Sequence, residues 1–388
     1  MTATICGTGS YIPSYTMDNH DIAKLVDTSD EWVRERTGIV RRHIIQKETT
    51  VSMAAEAGRK ALKDAGISPE EVDLILVSTI SSNLILPCAA CEVQKELGAV
   101  NATCFDLSAA CTGFVLAYNT AMAYITGGLC RTALIIGSES LSNLTNWKDR
   151  GTCILFGDGA GAAVLQAKTS PRGTSQEEGE KLEAYLPVTH SDGSRGAALT
   201  CKSRHDFNGL TDENRQSNAE TLLDASHYMQ MDGQAVFKFA VKSVLEVIGE
   251  ALRLNKLRAS DISYYILHQA NQRIVEAVAK RLGEPIEKFP MNLSEYGNTS
   301  SASIPILLDE MNREGRLKAG QKIVLAGFGA GLTAEDNLWA VGMTACLITF
   351  ATVYFGNLAG LKVNRKAPAV MQKLGGIAII VVGICKLI

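Results

Sequence analysis

GRKALKDAGISPEEVDLILVS, residues 58–78, is the stretch that decides the fold of this chain. Apolar residues at helical spacing precede Gly66, a short turn opens at Ser68-Pro69, and the apolar run Leu74–Val77 follows. This order predicts an amphipathic helix, a capped turn and a buried strand. The pattern returns at a constant offset of 190 residues, and the matching positions are Ala61-Leu62 with Ala251-Leu252, Ile67 with Leu257, Val72 with Ile262, Ile75 with Tyr265, and Val77 with Leu267.

Two copies of a helix-to-strand unit predict a duplicated α/β fold, in which each half has a sheet covered by helices. We expect an N-terminal half over 1–167, a polar surface excursion over 168–232, a C-terminal half over 233–333 and an apolar tail over 334–388. An active site between the half-sheets would collect residues from strand ends and loops of both halves.

The composition is that of a protein with a large core, since 46% of the 388 residues are apolar and 20% are charged. A net charge of −3, with no basic run interleaved with aromatic residues, gives no reason to expect nucleic acid as a partner. Residues 1–6 lack the regions of a signal peptide. Ten cysteines without such a signal favour free thiols in a reducing cytoplasm.

Cys88-Ala89-Ala90-Cys91 is a single CxxC pair. No second pair accompanies it and a helical pattern follows from Glu92, so zinc binding and redox chemistry are both disfavoured. We therefore expect no metal site and no cofactor.

Cys111 lies at a predicted junction between a strand and a helix. A buried strand is predicted around Phe105, residues 108–110 are small, and a helical pattern opens at Thr112. This placement puts the sulfur at a helix N-terminus, where the dipole and unpaired N–H groups favour a thiolate and lower the thiol pKa. A small buried core cysteine is the alternative.

Three further segments can supply donors for the same chemistry. His268 ends an apolar strand, where a neutral imidazole can donate a hydrogen bond or act as a base, or can be purely structural. Asn298 precedes a small-residue helix start, where an N-cap is the alternative. Residues 324–332 are predicted to form a strand that runs into a glycine-rich turn. Such a turn can aim N–H groups at an oxyanion, or it can simply be a tight turn. Together these features suit acyl transfer without a metal.

Over residues 1–333 the chain resembles the β-ketoacyl-acyl-carrier-protein synthase III family, the thiolase-fold condensing enzymes that start bacterial fatty acid synthesis. The motifs that carry the resemblance, in order, are Thr28–Trp32 with Arg36–Ile39, Ala110–Phe114, Phe156–Gly161, His268–Asn271, Gly297–Ser300 and Phe328–Thr333. The resemblance implies a layered α-β-α-β-α fold. It also implies a decarboxylative Claisen condensation of an acyl-CoA primer, such as acetyl-CoA, with malonyl-acyl-carrier-protein, which gives 3-oxoacyl-acyl-carrier-protein, CoA and CO2.

The resemblance further implies a role for individual residues. Cys111 would take the acyl group, His268 and Asn298 would hold the malonyl thioester carbonyl, and the backbone N–H groups of Cys111 and Ala330 would form the oxyanion hole. The implied binding residues are Trp32, Arg36 and Arg150 for CoA, Arg273, Lys280 and Arg281 for the carrier protein, and Leu86, from the neighbouring subunit of a homodimer, for the acyl pocket. For the three docking residues an ordinary solvated helix face is the alternative.

The tail departs from the family pattern after Thr333. Residues 338–361 contain no Asp, Glu, Lys or Arg and are long enough to cross a bilayer, and a second apolar run covers 374–388. We expect an apolar hairpin over 338–388 with possible membrane contact; the alternative is that residues 338–348 supply a final buried strand. The tail weakly resembles the terminal helices of manganese-efflux-type bacterial exporters.

Three other functions are weighed against this one. A thiolase would need a second cysteine within residues 327–333, which contain none. An initiating synthase of a secondary-metabolite pathway would have nearly the same sequence. From another class, the chain would be an inactive, membrane-anchored fusion.

Overall fold

The computed structural model describes residues 2–168, 185–203 and 224–329. Ala330 and the whole predicted tail, 334–388, lie outside the described residues, as does most of the predicted excursion. In the part of the chain that is described, every helix is too short or too polar to cross a bilayer.

The described chain contains both strands and helices. The strands are β1 (Thr2–Tyr11), β2 (Thr16–Asp18), β3 (Arg41–His43), β4 (Leu74–Ser78), β5 (Thr103–Leu107), β6 (Thr132–Ser140), β7 (Asp158–Lys168), β8 (Leu199–Thr200), β9 (Gln230–Met231), β10 (Tyr264–Leu267) and β11 (Ile323–Ala326). The helices are α1 (Asn19–Ala23), α2 (Asp30–Thr37), α3 (Thr50–Ala65), α4 (Ala89–Leu97), α5 (Gly113–Thr126), α6 (Arg150–Cys153), α7 (Gly233–Leu254), α8 (Gln272–Leu282), α9 (Leu293–Tyr296) and α10 (Ser303–Arg313).

The main sheet has five strands in the order β1-β7-β6-β4-β5. β7 runs antiparallel to both of its neighbours, whereas β4 is parallel to β5 and to β6. Every residue of β4 and β6 is buried. Central strands without an exposed face require helices on both sides of the sheet.

Three hydrophobic clusters separate the layers. Ile75 packs with α3 and α4 on one face of the main sheet, and Leu74 packs with α5 and α10 on the other. Ile266 of β10 joins the second cluster from the opposite side, so α5 and α10 lie between the main sheet and the parallel pair β10–β11. Tyr265 and Leu267 point the other way, towards α7 and α8. The predicted α-β-α-β-α layering is therefore confirmed.

The duplication is visible in the backbone at the predicted offset. The 3-10 turns Pro69–Glu71 and Ala259–Asp261, which lead into β4 and β10, are 190 residues apart. The same offset relates the turns Ala110–Thr112 and Ser300–Ala302, which lead into α5 and α10. Their first residues, Ala110 and Ser300, have left-handed φ angles of 43° and 49°. Strained backbone of this kind is typical of functional sites. The predicted boundaries between the halves stay predictions.

The two helix-start turns meet at the middle of the molecule. Gly113, the first residue of α5, lies so close to β4 that a Cβ there would be 1.7 Å from Ser78 Oγ and 2.9 Å from Ser78 Cβ. The same Cβ would be 3.6 Å from Ser301 Cβ of the second turn. Only glycine fits this approach, so the position of the α5 N-terminus depends on it.

We predict that Gly113→Ala lowers the free energy of unfolding by about 1–3 kcal/mol, the usual cost of forcing extra volume into a packed core. Gly249→Ala in α7 is the matched control, because nothing lies within 4 Å of its Cβ position. That control should be neutral or stabilising, since alanine is the better helix former. Denaturant unfolding of both variants checks this, and equal stabilities would contradict the close approach.

Candidate active site

Cys111, His268 and Asn298 line one cavity of about 770 Å³. They come from three different places: the turn after β5, the end of β10, and the loop that precedes α10. All three side chains are buried, with 8%, 1% and 7% of their surfaces exposed. The fold thus brings together the three residues that the sequence analysis proposed as catalytic.

The protonation state of Cys111 differs from the expectation. Burial raises the pKa of the Cys111 thiol to about 12, and the nearby Ser300 hydroxyl offsets only part of this effect. The predicted lowering of the pKa by the α5 N-terminus is therefore wrong, because the loss of hydration outweighs it. The Cys111 thiol is accordingly neutral near pH 7.

His268 is held as a neutral imidazole with a defined donor. Burial lowers its pKa to about 3. Its Nδ1 lies 2.7 Å from Ser303 Oγ, and that oxygen accepts a hydrogen bond from the Gln269 N–H at 3.4 Å. A Ser303 hydroxyl that accepts from the Gln269 N–H and donates its own proton to Nδ1 satisfies both contacts, and we infer this arrangement. This tautomer leaves Nε2–H as the donor.

Hydrogen bonds to neighbouring backbone groups fix both the side chain and the main chain of Asn298. Its amide oxygen accepts from the Ser300 N–H at 2.9 Å, which leaves its NH2 group as the donor for a ligand. Its N–H donates to the Leu155 carbonyl at 2.8 Å, and its carbonyl accepts from the Gly157 N–H at 3.1 Å. Both neutral donors of the site are therefore oriented before any substrate arrives.

The glycine-rich turn after β11 packs directly on Cys111. A Cβ at Gly329 would be 3.2 Å from both the N and the Cβ of Cys111. Ala330, the second predicted N–H donor, lies outside the described residues, so the oxyanion hole stays a prediction.

The three residues predicted to bind CoA form one cluster. The guanidinium groups of Arg36 and Arg150 lie 5.3 and 4.9 Å from the centre of the Trp32 ring, within cation–π range. Arg36 also lines the cavity that contains Cys111. Their role stays a prediction, although the cluster adjoins the cavity.

The predicted docking residues lie on α8. Arg273, Lys280 and Arg281 are exposed, and Arg273 and Lys280 are two helical turns apart on one face. Ile274 of the same helix is buried and lines the cavity, so α8 borders it. Leu86 is 84% exposed and does not line the cavity within this single chain. The docking and acyl-pocket roles stay predictions.

Glu139 and Ser303 are the polar residues that the sequence analysis missed. Glu139 is fully buried; one carboxylate oxygen lies 2.5 Å from Ser81 Oγ and the other 3.0 Å from Ser301 Oγ. Ser301 Oγ is also 2.9 Å from the Ser78 carbonyl, and its single proton can serve only one of these acceptors. A protonated Glu139 that donates to Ser301 satisfies both contacts. An isolated carboxylate in an apolar strand was the available signal.

Comparisons with known proteins agree with this geometry. Family models for "3-Oxoacyl-[acyl-carrier-protein (ACP)] synthase III" and its "C terminal" match residues 105–178 and 252–340. Beta-ketoacyl-[acyl-carrier-protein] synthase III of Clostridium botulinum (strain 657 / Type Ba4) is 45% identical over 330 residues, which are 85% of this chain and 96% of that protein.

Two crystal structures are similar over the same range. 3-Oxoacyl-[acyl-carrier-protein] synthase III from Aquifex aeolicus VF5 has 39% sequence identity and a TM-score of 0.74, covering 85% of this chain and 97% of that one. The priming beta-ketosynthase from the R1128 polyketide biosynthetic pathway has 34% identity and a TM-score of 0.74, covering 85% and 93%.

The buried Glu139 predicts a specific pH dependence of stability. Burial raises its pKa from 4.5 to about 7, so the folded state binds the proton more tightly than the unfolded state. The associated stability, roughly 3 kcal/mol at most, is fully present below the unfolded pKa and is lost as pH rises through the folded pKa.

Glu139→Gln should remove this pH-dependent contribution to stability, because the glutamine amide stays neutral over the whole pH range. The difference in unfolding free energy between the variant and the wild type should shift in favour of the variant from about pH 5 to about pH 8. A difference that is constant over this range would show that Glu139 does not titrate there.

Proposed function

The chain belongs to the 3-oxoacyl-[acyl-carrier-protein] synthase III family, and on that premise we propose how its own residues carry out the reaction. The protein is a thiolase-fold acyltransferase that catalyses the initiating condensation of an acyl-CoA primer with malonyl-acyl-carrier-protein in fatty acid synthesis. The observation that carries the assignment of residues is the convergence of a buried thiol and two pre-oriented neutral donors on one cavity.

The first half-reaction moves the primer to Cys111. The sulfur attacks the thioester carbonyl of the acyl-CoA, the C–S bond to CoA breaks, and the thiol proton leaves with the CoA sulfur. Because the resting thiol is neutral, this proton moves as the new C–S bond forms. Negative charge develops on the carbonyl oxygen beside the N-terminus of α5, where backbone N–H groups and the helix dipole stabilise it.

The second half-reaction decarboxylates the malonyl thioester. His268 Nε2–H and the Asn298 NH2 group donate to its carbonyl oxygen, CO2 leaves, and the electron pair of the broken C–C bond becomes an enolate. The enolate carbon attacks the acyl group on Cys111 and expels the thiolate, which takes up a proton from solvent. Two neutral donors suit this step, since they stabilise the enolate oxygen without becoming acids themselves.

The surroundings of the cavity supply the substrate contacts. We assign CoA to Trp32, Arg36 and Arg150, and the acidic surface of the carrier protein to the basic face of α8, on the grounds of complementary charge. We place the enzyme in the cytoplasm as a homodimer in which Leu86 of one subunit reaches the acyl pocket of the other. None of the eight cysteines that the structure describes is in a disulfide, which fits a reducing compartment.

A second candidate is the priming step of a polyketide pathway, which the similarity to the R1128 enzyme favours. The chemistry at Cys111 is the same in both cases. Primer preference separates them, so rates with acetyl-CoA and with longer or branched acyl-CoA should be compared.

The proposed function is tested with the purified full chain, acetyl-CoA and malonyl-acyl-carrier-protein. We expect 3-oxobutyryl-acyl-carrier-protein and CO2 to appear in equal amounts. Folded protein that forms neither product with any short primer would contradict the proposal.

Substitutions at Asn298, or at Ser303, which orients His268, should affect only the second half-reaction. Asn298→Asp replaces a donor with a carboxylate and should slow malonyl decarboxylation by roughly 100-fold or more. Ser303→Ala removes the partner of His268 Nδ1 and should slow it about tenfold, the equivalent of one hydrogen bond.

Acylation of Cys111 by acetyl-CoA is the internal control, and it should change little in either variant. If Ser303→Ala slowed acylation and decarboxylation equally, Ser303 would be a packing residue without a specific effect on the imidazole. Rapid-quench measurement of the two half-reactions distinguishes these results.

A further inference from the structure

The CxxC pair, which plays no part in the condensation, has a distinctive location. Cys88 is the N-cap of α4 and Cys91 lies in its first turn, between the parallel strands β4 and β5. The two Sγ atoms are 3.4 Å apart, in hydrogen-bond contact, and both side chains are half-buried. Neither cysteine lines the cavity of Cys111. The sequence alone disfavours redox chemistry for this pair, but the structure adds its position at a helix start within a β-α-β unit, which is a typical setting of thiol redox chemistry.

The neighbours of the pair do not complete a metal site. Cys104 on β5 directs its thiol to the Ala102 carbonyl at 3.4 Å. Among the residues that the structure describes, no three His, Cys, Asp or Glu side chains are arranged to hold a metal ion. Two thiolates alone fall short of the four ligands of a structural zinc site.

We propose that Cys88 and Cys91 form a redox-active dithiol that reacts with low-molecular-weight disulfides by thiol–disulfide exchange. The thiolate of Cys88 attacks one sulfur of the external disulfide, which breaks that S–S bond and releases one thiol. Cys91, after losing its proton, then attacks the mixed disulfide at the Cys88 sulfur and releases the second thiol. The two cysteines are oxidised by two electrons in total, and the external disulfide is reduced to two thiols.

Asp106 shifts this exchange towards the disulfide. Its carboxylate accepts from the N–H groups of Ala89 and Ala90 at 2.8 and 2.7 Å, so the first N–H groups of α4 are already bonded. The hydrogen bond with Cys88, burial and the negative charge of Asp106 all raise the pKa of Cys91. A dithiol whose reduced form gains little thiolate stabilisation is oxidised more easily than one with strongly acidic thiols.

The geometry also sets an order of reaction among the thiols. Cys111 is buried and its thiol pKa is raised to about 12, so it offers very little thiolate to an external disulfide. Cys88 and Cys91 are more accessible and already adjacent. The pair should therefore be oxidised well before Cys111 is modified.

The test is equilibration of the reduced full chain with mixtures of glutathione and glutathione disulfide, followed by alkylation of the remaining thiols. Cleavage after Lys and Arg gives peptide 64–95, whose only cysteines are Cys88 and Cys91, and peptide 96–131, which contains Cys104, Cys111 and Cys130. We expect peptide 64–95 to lose two hydrogens and escape alkylation, while Cys111 remains alkylated.

Single variants make the result specific. Cys88→Ser and Cys91→Ser should abolish the intrapeptide disulfide, and the cysteine that remains should be capped by glutathione; Cys104→Ser should leave the disulfide unchanged. Full alkylation of peptide 64–95 in glutathione disulfide would overturn the proposal, as would a cross-link between the two peptides. Condensation activity of the serine variants is assayed separately and should equal that of the wild type.

Discussion

The close approach of two helix-start turns, Ala110–Thr112 and Ser300–Ala302, is the constraint on which the rest of the structure depends. Gly113 lies against Ser78, and Ser301 lies close to both the Ser78 carbonyl and the buried carboxyl of Glu139. These contacts join the two duplicated halves at the turn that carries Cys111. The position of Cys111 relative to the donors of the other half follows from this contact.

Burial at this contact also determines the chemistry. Removal from water raises the pKa of Cys111 and lowers that of His268, so the site holds a neutral thiol and a neutral imidazole. With neither group charged at rest, hydrogen-bond donors stabilise negative charge as it develops. Such donors match a reaction in which both half-reactions build negative charge on a thioester oxygen.

The sequence predicts the duplication and the three candidate catalytic residues because their signals are local. A helix, turn and strand repeat at one offset, Cys111 and His268 follow strands, and Asn298 precedes a helix start. It does not predict the partners that fix those residues. Ser303 is 35 residues from His268, and Ser301 is 162 residues from Glu139, so these contacts depend on the folded topology. The thiol pKa was mispredicted for a related reason, since local position indicates the dipole but not the depth of burial.

The most direct test of the account is the incubation of purified wild-type protein and Cys111→Ala with radiolabelled acetyl-CoA, followed by acid denaturation. The account predicts an acid-stable acetyl label on the wild type alone, located on the peptide that contains Cys111. A folded wild-type protein that takes up no label, or a variant that is labelled equally, would contradict the assignment of Cys111 as the acyl acceptor.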